Sequence, residues 1–172
     1  MSNQTICFIG GGNMARSLIG GLIDDDVKPQ FITVAEPDAS RREELTNHFG
    51  VHVFADNVAA VNESDIVILA VKPQVMKTAV LALAEGLSEK KPLLISIAAG
   101  IPILSLESWT GDDLAIVRAM PNTPALVSTG ITALFANSRV LSEQRNQAES
   151  ILQAVGKVVW IENEALMDTV TA

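Results

Sequence analysis

The chain has 172 residues, 48% of them apolar, and a formal net charge of -8. That length and apolar content support one full-sized core with room for a small appendage, and argue against disorder as the default. The acidic balance argues against nucleic acid or an acidic membrane surface as partner, although a helix N-terminus can still hold an anion locally.

Aromatic residues are few, so the core must be built from Val, Ile, Leu and Ala, as in parallel strands covered by helices. The single cysteine, Cys7, excludes an intrachain disulfide and reads as a small buried hydrophobe in a reducing, cytoplasmic compartment. No basic stretch with a long apolar run opens the chain, so no signal peptide is expected. No apolar run reaches the roughly eighteen residues of a membrane span.

In chain order, TICFI predicts a first short strand. Met14, Leu18 and Leu22, with Ile19 beside them, repeat at helical spacing and predict a helix to the aspartate run 24–26. Gly20 and Gly21 would let that helix approach the sheet closely. Residues 31–35 predict a second strand, Asp38 or Ser40 starts a helix to 49, and 51–54 form a third strand. A polar-edged helix or turn follows. Residues 66–71 are the clearest buried strand, and 75–87 carry helical spacing. LLISIA is another buried strand, and IPILSLESW a short helix with Pro102 in its first turn. After a strand in LAIVRAM, Pro121 and Pro124 shape a loop. ITALFAN is a strand, Ser142 an N-cap for a helix to Val155, Gly156 its stop, and KVVWI a last strand. A further helix begins at about 163. Alternating strands and helices predict an α/β fold, Rossmann-like and doubly wound, with helices on both faces of a mostly parallel sheet.

Gly10, Gly12 and Ala15 form G-x-G-x-x-A between the first strand and the first helix. The first glycine permits the tight turn, the second removes a Cβ where a pyrophosphate would approach, and Ala15 allows close packing. Gly11 reads as the free position between them. Glu36 lies at the end of the second strand, where an acid would meet the adenosine ribose. Ser40, Arg41 and Arg42 follow at once and could hold a 2′-phosphate, so NADH and NADPH both stay open. Lys72-Pro73-Gln74 follows the 66–71 strand, Ala98-Ala99-Gly100 the next, and Met120 to Pro124 the one after. Small, rigid or polar groups at successive strand ends suit the walls of a ligand crevice. His48 and His52 read as surface residues, and no spacing predicts a metal site.

FIGGGNMA, Ala70-Val71-Lys72-Pro73-Gln74, SIAAGI and Arg118-Ala-Met-Pro-Asn-Thr-Pro124 together resemble the pyrroline-5-carboxylate reductase family. The resemblance implies hydride transfer from NADPH or NADH to the C=N carbon of 1-pyrroline-5-carboxylate, giving L-proline. It implies that Gly10, Gly12, Asn13, Met14 and Ala15 hold the pyrophosphate and that Asn57 meets the adenosine side. Ala70, Val71, Lys72 and Pro73 then lie near the nicotinamide ribose, and Ala98, Ala99 and Gly100 near the ring. Asn122 faces the cofactor, and Asn122 and Thr123 the substrate. Glu36 departs from many relatives, which carry a neutral residue there and a nearby arginine. The resemblance divides the chain into an NAD(P)-binding domain, 1–162, and the start of a C-terminal helical dimerisation domain, 163–172. That second domain would complete the substrate pocket, supply the proton donor and make a homodimer or larger homo-oligomer. The chain alone is then expected to bind cofactor with little or no turnover, and its last ten residues to fray or dock elsewhere. No catalytic residue is assigned within it. Two other classes fit the glycine motif: a β-hydroxyacid dehydrogenase-type oxidoreductase and a non-catalytic dinucleotide-binding sensor.

Overall fold

The computed structural model describes residues 4–62, 64–111, 113–122, 124–125 and 130–167. Its strands are β1 (Ile6–Ile9), β2 (Ile32–Ala35), β3 (His52–Phe54), β4 (Ile66–Leu69), β5 (Leu93–Ser96), β6 (Ile116–Pro121), β7 (Gly130–Ala136) and β8 (Gly156–Trp160). Its helices are α1 (Asn13–Asp24), α2 (Ala39–Phe49), α3 (Asn57–Val61), α4 (Pro73–Lys90), α5 (Ile103–Thr110) and α6 (Ser142–Gln153). The strands form one sheet in the order β3-β2-β1-β4-β5-β6-β7-β8. Every pairing is parallel except β6 with β7. Strand order reverses between β1 and β4, which opens a crevice at their C-terminal ends.

The alternation along β1 shows why this sequence makes a two-faced sheet. Ile6 and Phe8 point into one core, with Leu18, Ile19 and Leu22 of α1, Leu45 of α2 and Ile151 of α6. Cys7 and Ile9 point into the other, with Val61 of α3, Met76 and Val80 of α4 and Leu106 of α5. Both faces of the strand are buried, so it reads as an unbroken apolar run. Burial pushes the Cys7 thiol up to about 12, against a weaker opposing bond from Ser64. The thiol is therefore neutral and inert at ordinary pH. Among the described residues, no helix is long and apolar enough to cross a membrane.

Several expected details shift. Gly21 serves a helix rather than the sheet: a Cβ there would lie 2.3 Å from the Ala154 carbonyl oxygen, just past the end of α6. Gly20 faces the Phe49 ring of α2. Ser142 is the first residue of α6, and Leu141 holds the N-cap position, its N–H donating to Gln144 Oε1 at 3.0 Å. Asp38, rather than Ser40, caps α2. Pro102 sits one residue before α5, at its N-cap. The segment after β8 is anchored as far as it is described. It forms a 3-10 turn at Glu164–Leu166, and Met167 is fully buried. Asp168 and Val170 lie outside the described residues.

Candidate functional site

The turn after β1 carries the site. Gly10 has φ +101, a conformation that side chains rarely adopt, and its N–H donates to the Ala35 carbonyl at 2.8 Å. A Cβ on Gly10 would lie 2.9 Å from the Ala70 carbonyl oxygen and 3.1 Å from Val71 Cγ1. The turns after β1 and β4 are thus in contact across the switch point. Gly12 differs. It is the N-cap of α1, and an added Cβ would meet no described residue within 4 Å. Among the described residues, no side chain caps this helix. The first-turn N–H groups of Asn13, Met14 and Ala15 lack intrahelical partners, as at any helix start, and an anion can take them. Asn13 is exposed, Met14 packs against the core and Ala15 is buried.

Gly11 is not the free position it reads as in sequence. A Cβ there would lie 2.7 Å from Leu45 Cδ1 and 3.3 Å from Glu36 Oε2. Its N–H donates to Glu36 Oε2 at 3.0 Å, and the Asp38 N–H donates to Glu36 Oε1 at 3.1 Å. Glu36 is 5% exposed, so its carboxylate ties the glycine turn to the end of β2 from within. Each carboxylate oxygen keeps a further lone pair. Arg42 donates to the Glu36 and Pro37 carbonyls at 2.7 Å each, and the Ser40 hydroxyl donates to Asp38 at 2.6 Å. Of these three candidate phosphate ligands, Arg41 alone has a side chain with no bond among the described residues.

A groove of about 480 Å³ opens beside this turn. Gly10, Asn57 and Val71 line it, together with Pro37, Val58, Gln74, Val75, Thr78 and Ala82. The α4 members recur at Gln74, Thr78 and Ala82 and at Val75 and Ala79, a helix stripe that faces the groove instead of the core. That half-apolar stripe is the signal by which sequence alone could have placed them. Beyond the switch point, Lys72 caps α4, is exposed, and forms no ion pair among the described residues; Pro73 opens the helix. Ala70 is half-buried against the core of the opposite face. Ala98 is buried, whereas Ala99 and Gly100 are exposed at the end of β5. Asn122 accepts the Ile131 N–H at 2.9 Å through Oδ1, and its carbonyl accepts the Ala125 N–H at 3.0 Å. Its Nδ2 has no bond to a described residue. Thr123 lies outside the described residues.

These features pass a physical test for a dinucleotide. The turn has an open Cβ position at a helix start, an apolar-walled groove beside it, and at the start of α4 an exposed lysine with no ion pair among the described residues. Fold and crevice define a Rossmann-type domain of the nucleotide-dependent oxidoreductase class. The chain belongs to the family described as NADP oxidoreductase coenzyme F420-dependent, whose model matches residues 5–100.

Along its whole length the chain is 46% identical to the pyrroline-5-carboxylate reductase of Pseudomonas aeruginosa and covers 63% of that protein. It is 44% identical to that of Synechocystis over 95% of the chain and 60% of the relative. The chain thus spans somewhat under two thirds of the length of the curated relatives it matches. A solved pyrroline-5-carboxylate reductase from Coxiella burnetii superposes with a TM-score of 0.95 at 42% identity, covering 97% of this chain and 62% of that one. The Plasmodium falciparum pyrroline carboxylate reductase, solved with NADP bound, gives 0.85 at 28% identity, over 98% and 61% respectively.

Proposed function

We propose that this chain is the dinucleotide-binding part of a pyrroline-5-carboxylate reductase, a cytoplasmic enzyme that reduces the C=N bond of 1-pyrroline-5-carboxylate to L-proline. Residues 1–162 form the NADPH- or NADH-binding domain, and 163–172 begin a helical domain through which the whole protein forms a homodimer or larger homo-oligomer. The open face at Gly12 carries the reading. It lies at the switch point of a chain that aligns from end to end with reductases of this kind.

The N–H groups at the start of α1 neutralise the pyrophosphate. Gly10 shapes the turn, and Gly12 leaves the space that the phosphates need. Glu36 accepts a ribose hydroxyl on its remaining lone pairs while it holds Gly11. Asn57 and the α4 stripe enclose the adenosine side. Lys72 places its charge beside the phosphates or the second ribose. Ala98, Ala99 and Gly100 offer a wall without bulk, and the Asn122 amide offers a donor at the crevice beside Thr123. When bound, the dinucleotide supplies the hydride. The proton donor and the carboxylate clamp for the substrate belong to the further domain.

The test follows dinucleotide oxidation and proline formation with 1-pyrroline-5-carboxylate, using NADPH and NADH in turn. A longer chain containing these 172 residues is compared with the 172-residue chain itself. Proline should form with the longer chain and little or none with the shorter one. No imine reduction by the longer chain would refute the assignment. Equal rates from both would refute the need for a second domain.

A further inference from the structure

Pro102 holds the N-cap position of α5 and provides no side-chain acceptor for the helix. The first N–H of that helix, on Ile103, is instead taken by Glu164 Oε1 at 2.8 Å, from a residue 61 positions later. The same oxygen accepts an N–H from Arg118 Nη1 at 3.0 Å. Arg118 lies within β6, between Ser96 of β5 and Phe135 of β7 in the sheet register, and its side chain is 5% exposed against 24% for Glu164. One carboxylate therefore fastens three segments: the start of α5 where loop 97–102 ends, the middle of β6, and the turn after β8. Charge-assisted bonds of this kind are short and strong where water is scarce. All three segments meet beside Ser96, the last residue of β5, which pairs with Arg118 in the middle of β6. This is the half of the crevice beyond the switch point, opposite the groove lined by Asn57 and Val75. In a doubly wound sheet with its glycine turn after β1, that half receives the nicotinamide and the other the adenosine.

We infer that Glu164 is a positioning residue for the nicotinamide half of the dinucleotide, acting through Arg118 and through the Ile103 N–H that anchors loop 97–102; this rests on the dinucleotide reading above. Glu164→Gln keeps an acceptor of nearly the same shape for Ile103 and removes the charge that faces Arg118. Glu164→Asp keeps the charge and shortens the reach.

The test titrates the 172-residue chain and both variants with NADPH and with ADP-ribose, which lacks the nicotinamide. Circular dichroism checks the fold, and the emission of bound NADPH reports the ring environment. Either variant should bind NADPH about tenfold more weakly, as expected for loss of one charge-assisted bond, with ADP-ribose affinity unchanged. The emission of bound NADPH should shift. Should E164Q unfold, E164D carries the same contrast. Equal loss for both ligands would make Glu164 a general structural prop and overturn the inference. Unchanged NADPH binding would overturn it as well. If the unaltered chain binds ADP-ribose and NADPH but the variants show no contrast, only the inference fails. If the unaltered chain binds neither, the dinucleotide reading fails and takes the inference with it.

Discussion

A Cβ on Gly10 would press on the Ala70 carbonyl in a backbone conformation that disfavours side chains, whereas a Cβ on Gly12 would touch none of the described residues. The two glycines therefore separate folding from binding. Gly10→Ala should lower stability by about 1–3 kcal/mol in urea unfolding. Gly12→Ala should cost less than about 1 kcal/mol, since it changes only an N-cap residue. Equal losses would refute this division. Glu36 belongs to the same turn. Glu36→Ala strands the buried Gly11 N–H and removes the acceptor of the part-buried Asp38 N–H, and should cost about 1–3 kcal/mol, with weaker dinucleotide binding. A variant of unchanged Tm would show that the carboxylate does not organise the turn. The glycine turn and the place of Glu36 at the end of β2 are legible in the sequence from the strand-turn-helix context, but the bonds Glu36 makes to the Gly11 and Asp38 N–H groups are not. Nor is the constraint on Gly11, because it comes from Leu45 and Glu36 side chains that only the folded sheet brings against it.

At the scale of elements, α1 is fixed by two contacts of different kinds. Leu18, Ile19 and Leu22 pack on the sheet, as their spacing predicts. Gly21 lets the end of α6 come close, and local sequence gives no hint of that partner. Gly21→Ala should destabilise the chain by about 1–3 kcal/mol through overpacking. Dinucleotide affinity should persist, because Gly21 lies a helix length from the turn; a variant of wild-type stability would contradict the packing account. The start of α2 carries a pH dependence. The Ser40 hydroxyl, then the Arg41 backbone N–H, hold the Asp38 carboxyl below its ordinary value of 3.8. A depressed folded-state value adds stability above the unfolded value and loses it as pH falls through the folded one. Asp38→Asn keeps a capping acceptor but removes the titration. Its acid-unfolding profile below about pH 4 should be shallower than that of the parent. Superimposable profiles would remove Asp38 from the acid response. Asp38 is recognisable as a cap from sequence, with Ser40 as its rival; only geometry decides between them.

At the scale of the molecule, the order β3-β2-β1-β4-β5-β6 places the glycine turn and Lys72 on either side of one crevice. Strand and helix alternation reveals this architecture, because each buried strand is an apolar run bounded by turns. The antiparallel β6–β7 pairing is not legible, since β7 reads as an ordinary strand whichever way it runs. Nor is the Arg118–Glu164 bond, which joins residues 46 apart through tertiary packing alone.

The proposed function requires first of all that the turn at Gly10 to Gly12 seat a dinucleotide. Calorimetric titration of the 172-residue chain with NADPH and with NADH, beside Gly12→Ala, tests it most directly. The unaltered chain should bind one equivalent of at least one dinucleotide. The variant, folded and nearly as stable, should bind it at least about tenfold more weakly, through loss of contacts between helix N–H groups and phosphate. No binding by the unaltered chain, or equal affinity in the variant, would contradict the claim.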